Sequence, residues 1–216
     1  MKRKSLLLLL FSFMSLGFVM QSAFAQSSKA VLDKVSSKLQ SSNKLQATVS
    51  FTMENKAGKK MTEDTGVFYM QGDAYKIKMK NQEIITNGKT IWTYLIPNKE
   101  VQISNYVEAE QSISPKQLFS GSYDKEFSHA YLRSSSYQGK NVHVVKLTPK
   151  KNQSFSTLDL YINKANNEIV GGIMHLKNGG KVNYTITNLN LKPNFPAGLF
   201  EFNTKANPNV EVIDLR

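Results

Sequence analysis

From Leu45 onward the chain alternates. Leu45, Ala47, Val49, Phe51 and Met53 are apolar, and Gln46, Thr48, Ser50, Thr52 and Glu54 between them are polar. A period of two places one set on a buried face and the other on a wet face, the pattern of a strand. The pattern recurs over 65–70 and again over 75–79, where Tyr75, Ile77 and Met79 alternate with lysines. Further strands are predicted over 83–86, 90–96, 100–104, 127–132, 142–148, 155–162, 168–176 and 181–189. Gly58, Gly72-Asp73, Asn87-Gly88, Pro97-Asn98, Gly139 and Gly179-Gly180 punctuate them with turn chemistry. Two stretches depart from period two. In Ser27–Gln40, Val31, Val35 and Leu39 recur every fourth residue with Leu32 beside them, which predicts an amphipathic helix capped by Ser27 or Ser28. Ser114-Pro115 starts a second helix, with Leu118 and Phe119 as its apolar contacts.

Ten or eleven consecutive strands with hairpin-length connections and no crossover helices disfavour a parallel sheet. The expected fold is mainly β with two or more helices (α+β). It is an up-and-down antiparallel sheet that curls into an incomplete barrel as its twist accumulates. The helices then bury their apolar stripes on the concave side.

Composition adjusts this picture at one end. Lys2, Arg3 and Lys4 precede an apolar run from Leu6 to Met20, and Ala23-Phe24-Ala25 fits a small-x-small cleavage site. Residues 1–25 therefore read as a cleaved signal peptide, and 26–216 as one exported domain. The net charge of +12 becomes +9 without the leader, spread over lysines in turns and on polar strand faces. Export argues against nucleic acid. The charge is mostly that of solvated faces, with a weak preference for anionic lipid headgroups as the remainder, and it does not identify a partner. The chain has no cysteine, which excludes disulfides, thiolate metal sites and cysteine-linked anchors.

Catalytic chemistry is not visible. His129, His143 and His175 have no metal-ligand spacing, and no nucleophile elbow is present. Asn178-Gly179-Gly180-Lys181 is not followed by a helix, so it is no phosphate loop. The reading is a non-enzyme with no cofactor and no metal. What remains is apolar: Val49, Phe51, Met53, Phe68, Tyr75, Ile77, Met79, Ile85, Ile91, Trp92, Leu118 and Phe119. They suit either an ordinary packed core or the lining of a cavity. Methionine adapts to irregular surfaces, and curled sheets of this size often enclose a ligand.

The order of segments resembles the LolA family of periplasmic outer-membrane lipoprotein carriers. The amphipathic helix runs directly into Leu45-Gln46-Ala47-Thr48-Val49-Ser50-Phe51. Asn87-Gly88-Lys89-Thr90-Ile91-Trp92-Thr93-Tyr94 is similar to the family's DGK-T-x-W-x-Y hairpin. Ser114-Pro115 with Leu118-Phe119, Leu147-Thr148-Pro149-Lys150 and the tail from Phe200-Glu201-Phe202 to Asp214 also fit. The resemblance implies a half-barrel with helices as a lid, carrying Val31, Val35 and Leu39, over an acyl-chain cavity lined by the apolar residues above. It implies a monomeric periplasmic chaperone that moves acylated lipoproteins from the inner to the outer membrane. The partners would be an inner-membrane releasing transporter and an outer-membrane acceptor. A related module that senses free lipid, glycolipid or a partner's peptide is the alternative. The family's arginine after the second strand is replaced here by Gln71, which can hydrogen-bond but carries no charge. The family's acceptor is anchored through cysteine, so a chain without cysteine fits the diffusible carrier.

Overall fold

The structure is a computed structural model that describes residues 28–107, 119 and 121–216. The N-terminal helix occupies 28–40 of these, in agreement with the period-four pattern. The mid-chain helix and Leu118 lie outside the described residues, except that Phe119 is present and helical. A short helical turn, Tyr123–Glu126, precedes the second half of the sheet.

The described strands form one sheet. In chain order they are β1 (Lys44–Glu54), β2 (Lys60–Gln71), β3 (Ala74–Lys78), β4 (Gln82–Thr86), β5 (Thr90–Leu95), β6 (Glu100–Asn105), β7 (Phe127–Tyr137), β8 (Lys140–Pro149), β9 (Phe155–Asn163), β10 (Ile169–Leu176), β11 (Lys181–Asn190) and β12 (Glu211–Asp214). Their order across the sheet is β12-β6-β5-β4-β3-β2-β1-β11-β10-β9-β8-β7. Two hairpin meanders, β1–β6 and β7–β11, are thus joined in the middle by antiparallel pairing of β1 with β11. All pairs are antiparallel but one: β12 runs parallel to β6 at the edge. That strand was not expected, since Val212 has too few alternating neighbours to mark it. β2 and β7 are longer than the alternation suggests, because their polar ends extend exposed hairpins against β1 and β8.

Register sorts the residues by face. Val49 lies opposite Gly66 and Ile186, Phe51 opposite Tyr184, and Met53 opposite Val182. Phe68 pairs with Ala47 and Ile77, and Met70 with Leu45 and Tyr75. In the other meander, Met174 faces Leu158 and Val182, and Leu158 faces Leu147. These residues share the concave face. Val31, Leu32, Val35 and Leu39 of the helix join them in one continuous core. The helix crosses this face because its apolar stripe has no other surface to cover.

The convex face is covered differently on its two halves. Val142, Val144 and Val170 form a small cluster with Leu132, Tyr137 and Tyr161. Across the β2–β6 half lies the C-terminal tail. Phe195 meets the Tyr69 ring at 6.0 Å and Phe200 at 5.6 Å, and Phe202 meets Tyr94 at 5.1 Å. Lys44 sits 5.7 Å from the centre of the Phe195 ring.

Candidate functional site

On the concave face, between β1, β2, β3, β10 and β11, lies a cavity of about 280 Å3. Its walls are Val49, Phe51 and Met53 from β1, Gly66 and Phe68 from β2, Ile77 from β3 with Met79 just beyond it, Met174 from β10, and Val182, Tyr184 and Ile186 from β11. Phe119 closes it on the lid side, stacked on Phe68 with centroids 5.3 Å apart. Two glycines create the space. A Cβ on Gly66 would stand 3.0 Å from the Met79 side chain. A Cβ on Gly172 would meet the Tyr184 hydroxyl at 2.5 Å, so the Tyr184 ring lies flat over β10 only because Gly172 has no side chain.

The lining is almost wholly apolar. Its one hydroxyl, on Tyr184, is buried and has no hydrogen-bond partner among the described residues. Burial holds that phenol well above its ordinary pKa, so it stays neutral. No cluster of three or more His, Asp or Glu that could hold a metal occurs among the described residues. The arrangement can take up hydrocarbon, and nothing in it activates a water or a nucleophile.

Of the residues singled out from sequence, the structure brings Val49, Phe51, Met53, Phe68, Ile77, Met79 and Phe119 to this cavity. It does not bring the others. Tyr75 is on the same face but fully buried at the far end of β3, between the rings of Phe68 and Tyr106. Ile91 starts β5 at that same far end, opposite Thr86, and is also buried. Ile85 and Trp92, paired with each other, point to the opposite, convex face. There they share a side with Tyr94, against which the tail packs. Leu118 lies outside the described residues. Met174, Val182, Tyr184 and Ile186 were missed. Alternation in β11 marks Val182, Tyr184 and Ile186 as sharing a face, but only the pairing of β1 with β11 sets that face beside Phe51.

Val31, Val35 and Leu39, expected from the sequence to belong to a lid, are buried against the core. Polar contacts tie the helix at both ends. Near its start, Lys29 Nζ donates to Asp33 Oδ1 at 2.9 Å and to Asp124 Oδ2 at 2.7 Å. Asp124 Oδ1 lies 2.7 Å from His129 Nε2, and His129 Nδ1 lies 3.1 Å from Ser28 Oγ. The Lys29 and His129 contacts hold the Asp124 carboxyl below the usual carboxylate range. Near the other end, Lys38 Nζ donates to Glu168 Oε1 at 2.7 Å and to the Asn166 carbonyl at 3.0 Å. Gly121, at φ +70°, packs against Ser36, whose Cα lies 2.9 Å from where a Cβ would stand. Only glycine fits there, on both counts. Gln71, at the end of β2, lies in register with Lys44 and Ala74, away from the cavity.

Comparison with known proteins adds to this geometry. A family profile described as "Outer membrane lipoprotein carrier protein LolA" matches residues 40–203. No curated protein matches the sequence. Among solved structures, an uncharacterized conserved protein from Thermus thermophilus matches with a TM-score of 0.57 at 14% identity, over 87% of this chain and 99% of that one. A LolA superfamily protein from Nitrosomonas europaea matches with a TM-score of 0.48 at 14% identity, over 83% of this chain and 98% of that one. The complex of Pseudomonas aeruginosa MucA/MucB matches with a TM-score of 0.41 at 12% identity, over 83% of this chain and 62% of that one. At these identities the likeness is one of fold.

Proposed function

The chain belongs to the LolA family of outer membrane lipoprotein carrier proteins, and from that premise we propose that it is a periplasmic carrier that shields lipoprotein acyl chains in transit to the outer membrane. Family members are non-enzymatic, in keeping with a reading that rests on binding and not on a reaction. No helix among the described residues is long and apolar enough to cross a membrane. The observation that carries the proposal is the apolar cavity beneath the helix, lined by Val49, Phe51, Ile77 and Met79.

The energetics are those of exchange. A cavity of about 280 Å3 is at the small end for a ligand site, so a multi-chain anchor needs the helix to move aside. Removing Val31, Leu32, Val35 and Leu39 from the core would cost roughly 6–12 kcal/mol, at about 1.5–3 kcal/mol for each side chain. An acyl chain of about 16 carbons taken out of water contributes about 12 kcal/mol, at about 0.8 kcal/mol per methylene. The two terms are comparable. One chain offsets the loss of lid contacts, and further chains supply the surplus. The polar ties at Lys29 and Asp124 do not oppose this strongly, because both side chains are 54% exposed and such pairs contribute little. On release of cargo the same apolar stripe returns to the sheet, which makes the cycle reversible without an energy source in the protein.

Mass spectrometry of the protein isolated from periplasm tests the reading. Acylated lipoprotein should co-purify with wild type and be lost from Ile77→Glu, which places a carboxylate in the cavity wall. Free lipid or a peptide in its place would favour a sensor. Normal lipoprotein sorting in a strain depleted of the protein would overturn the carrier role.

A further inference from the structure

The turns at the two ends of the sheet differ in charge. The cavity lies toward the end where Met53 finishes β1 and Met79 follows β3. Five turns lie at this end: 96–99 toward the sheet edge, and 55–59, 79–81, 150–154 and 177–180 nearer the cavity. The last four contain Lys56, Lys59, Lys80, Lys150, Lys151 and Lys177 and no carboxylate, and the adjoining Tyr123–Glu126 turn, whose Asp124 carbonyl accepts from Lys150 Nζ at 2.6 Å, adds Asp124 and Glu126. At the opposite end, the turns 72–73, 87–89, 138–139 and 164–168 contain two lysines balanced by Asp73 and Glu168. The net basic charge of the chain is therefore not spread evenly. The turns nearest the cavity opening carry more lysine than those at the opposite end.

Three of the four turns nearest the cavity touch one another. Lys56 Cγ lies 3.0 Å from where a Cβ of Gly179 would stand, so the first and last turns touch. Lys177 Nζ donates to Asn152 Oδ1, which joins the 150–154 turn to them. All six lysines are exposed, and none is in an ion pair among the described residues. Of the nearby acids, Glu63 pairs with Lys60, Asp124 with Lys29 and His129, and Glu54 accepts from the Asn183 amide. Large apolar side chains stand among the lysines. Met53 is 39% and Met61 58% exposed, although other methionines of the core are buried.

We propose that this end of the half-barrel is a docking surface for an anionic phospholipid bilayer, with the lysines on the headgroups and Met53 and Met61 entering the interface. Exposed apolar side chains ringed by lysine suit a surface that is anionic outside and hydrocarbon within. An acidic protein would satisfy the lysines but gives no reason for a hydrocarbon-lined opening between them. The purpose of the surface, direct passage of acyl chains between bilayer and cavity, rests on the carrier reading. Its evidence, charge and exposure at one end, does not.

Co-sedimentation with vesicles tests it. The protein should bind phosphatidylcholine vesicles containing phosphatidylglycerol, bind pure phosphatidylcholine vesicles weakly, and be released by salt. Lys56→Gln/Lys80→Gln should weaken binding by about tenfold or more, whereas the charge-matched Lys89→Gln/Lys164→Gln at the other end should change it by less than about twofold. Equal losses for the two pairs would reduce the effect to net charge and overturn the proposal. Equal binding to both vesicle types would overturn it as well, and so would no binding at all, which would direct attention to an acidic protein. A fluorescent fatty-acid probe, titrated into the same proteins without vesicles, keeps the two readings apart. Wild type that docks on anionic vesicles yet takes up no probe would sink the acyl-chain reading and leave the docking surface standing. Probe uptake with no charge-dependent docking would do the reverse.

Discussion

The concave face has two halves that use similar residues differently. Across β8–β10, Val145, Leu147, Leu158, Leu160 and Ile162 are 0% exposed and closed beneath the helix and the Tyr123–Glu126 turn. Across β1–β3, Val49, Phe51 and Ile77 are only partly buried and border a cavity. Both halves are strands of alternating apolar residues. The difference lies in what covers them. The sealed half has side chains packed against every surface and supplies stability. The open half leaves apolar area uncovered, which is a cost in the free protein and a source of binding energy when hydrocarbon fills it. The two tasks lie in separate places on one face.

Mutations at matched sites can break this division. The largest effect on stability is expected from Leu160→Ala in the sealed half. It should lower unfolding free energy by about 2–5 kcal/mol in urea titration, while the folded fraction binds an acyl probe normally. Phe51→Ala in the open half should do the opposite. Its probe affinity should fall by about tenfold, with a stability loss of less than about 2 kcal/mol, because the site already borders empty space. If both variants lost stability equally, the two halves would be one core and the comparison would fail.

Smaller effects test the lid and the single polar group in the wall. Asp124→Asn should speed hydrogen exchange across residues 28–40 without changing the global melt, since its ion pair with Lys29 is exposed and such pairs contribute little to global stability. The pH dependence has a definite sign. The Asp124 carboxyl is held below its ordinary value in the folded protein. Its stabilising contribution is therefore complete above the ordinary aspartate range and is lost as pH falls through the depressed value. Exchange in the helix should be unaffected by this group near neutrality and should accelerate only in acid, and Asp124→Asn should remove that acid-dependent component. The smallest change is expected from Tyr184→Phe. It deletes a buried hydroxyl with no partner among the described residues, so stability should stay the same or rise by about 1 kcal/mol in the same urea titration. A loss of more than that would mean the hydroxyl has a partner in solution.

Much of this architecture is legible in the sequence, and the reasons are local. Period two in Leu45–Met53 and period four in Val31–Leu39 report which residues share a face, because backbone geometry sets those periods whatever surrounds them. The turns at Asn87-Gly88 and Gly179-Gly180 end strands through their own conformational preferences. Hence the eleven strands of the two meanders and the N-terminal helix could be placed before any coordinates. Seven cavity residues could be named as well, six on the alternating faces of β1–β3 and just beyond β3, and Phe119 from the helix that Ser114-Pro115 predicts.

What only the tertiary structure decided depends on contacts far apart in the chain. Ile84-Ile85 and Ile91-Trp92 are apolar on both faces of their strands, so alternation cannot say which face is inside. The answer came from the tail, whose Phe195, Phe200 and Phe202 cover the convex side where Ile85 and Trp92 lie. Strand β11 lines the cavity because it pairs with β1, more than a hundred residues earlier, and no local pattern encodes that partner. The charge asymmetry between the two ends has the same origin. Six lysines scattered between residues 56 and 177 look like ordinary solvated turns in the sequence. Antiparallel hairpins return the chain to the same end at every second turn, and that geometry gathers them around the opening.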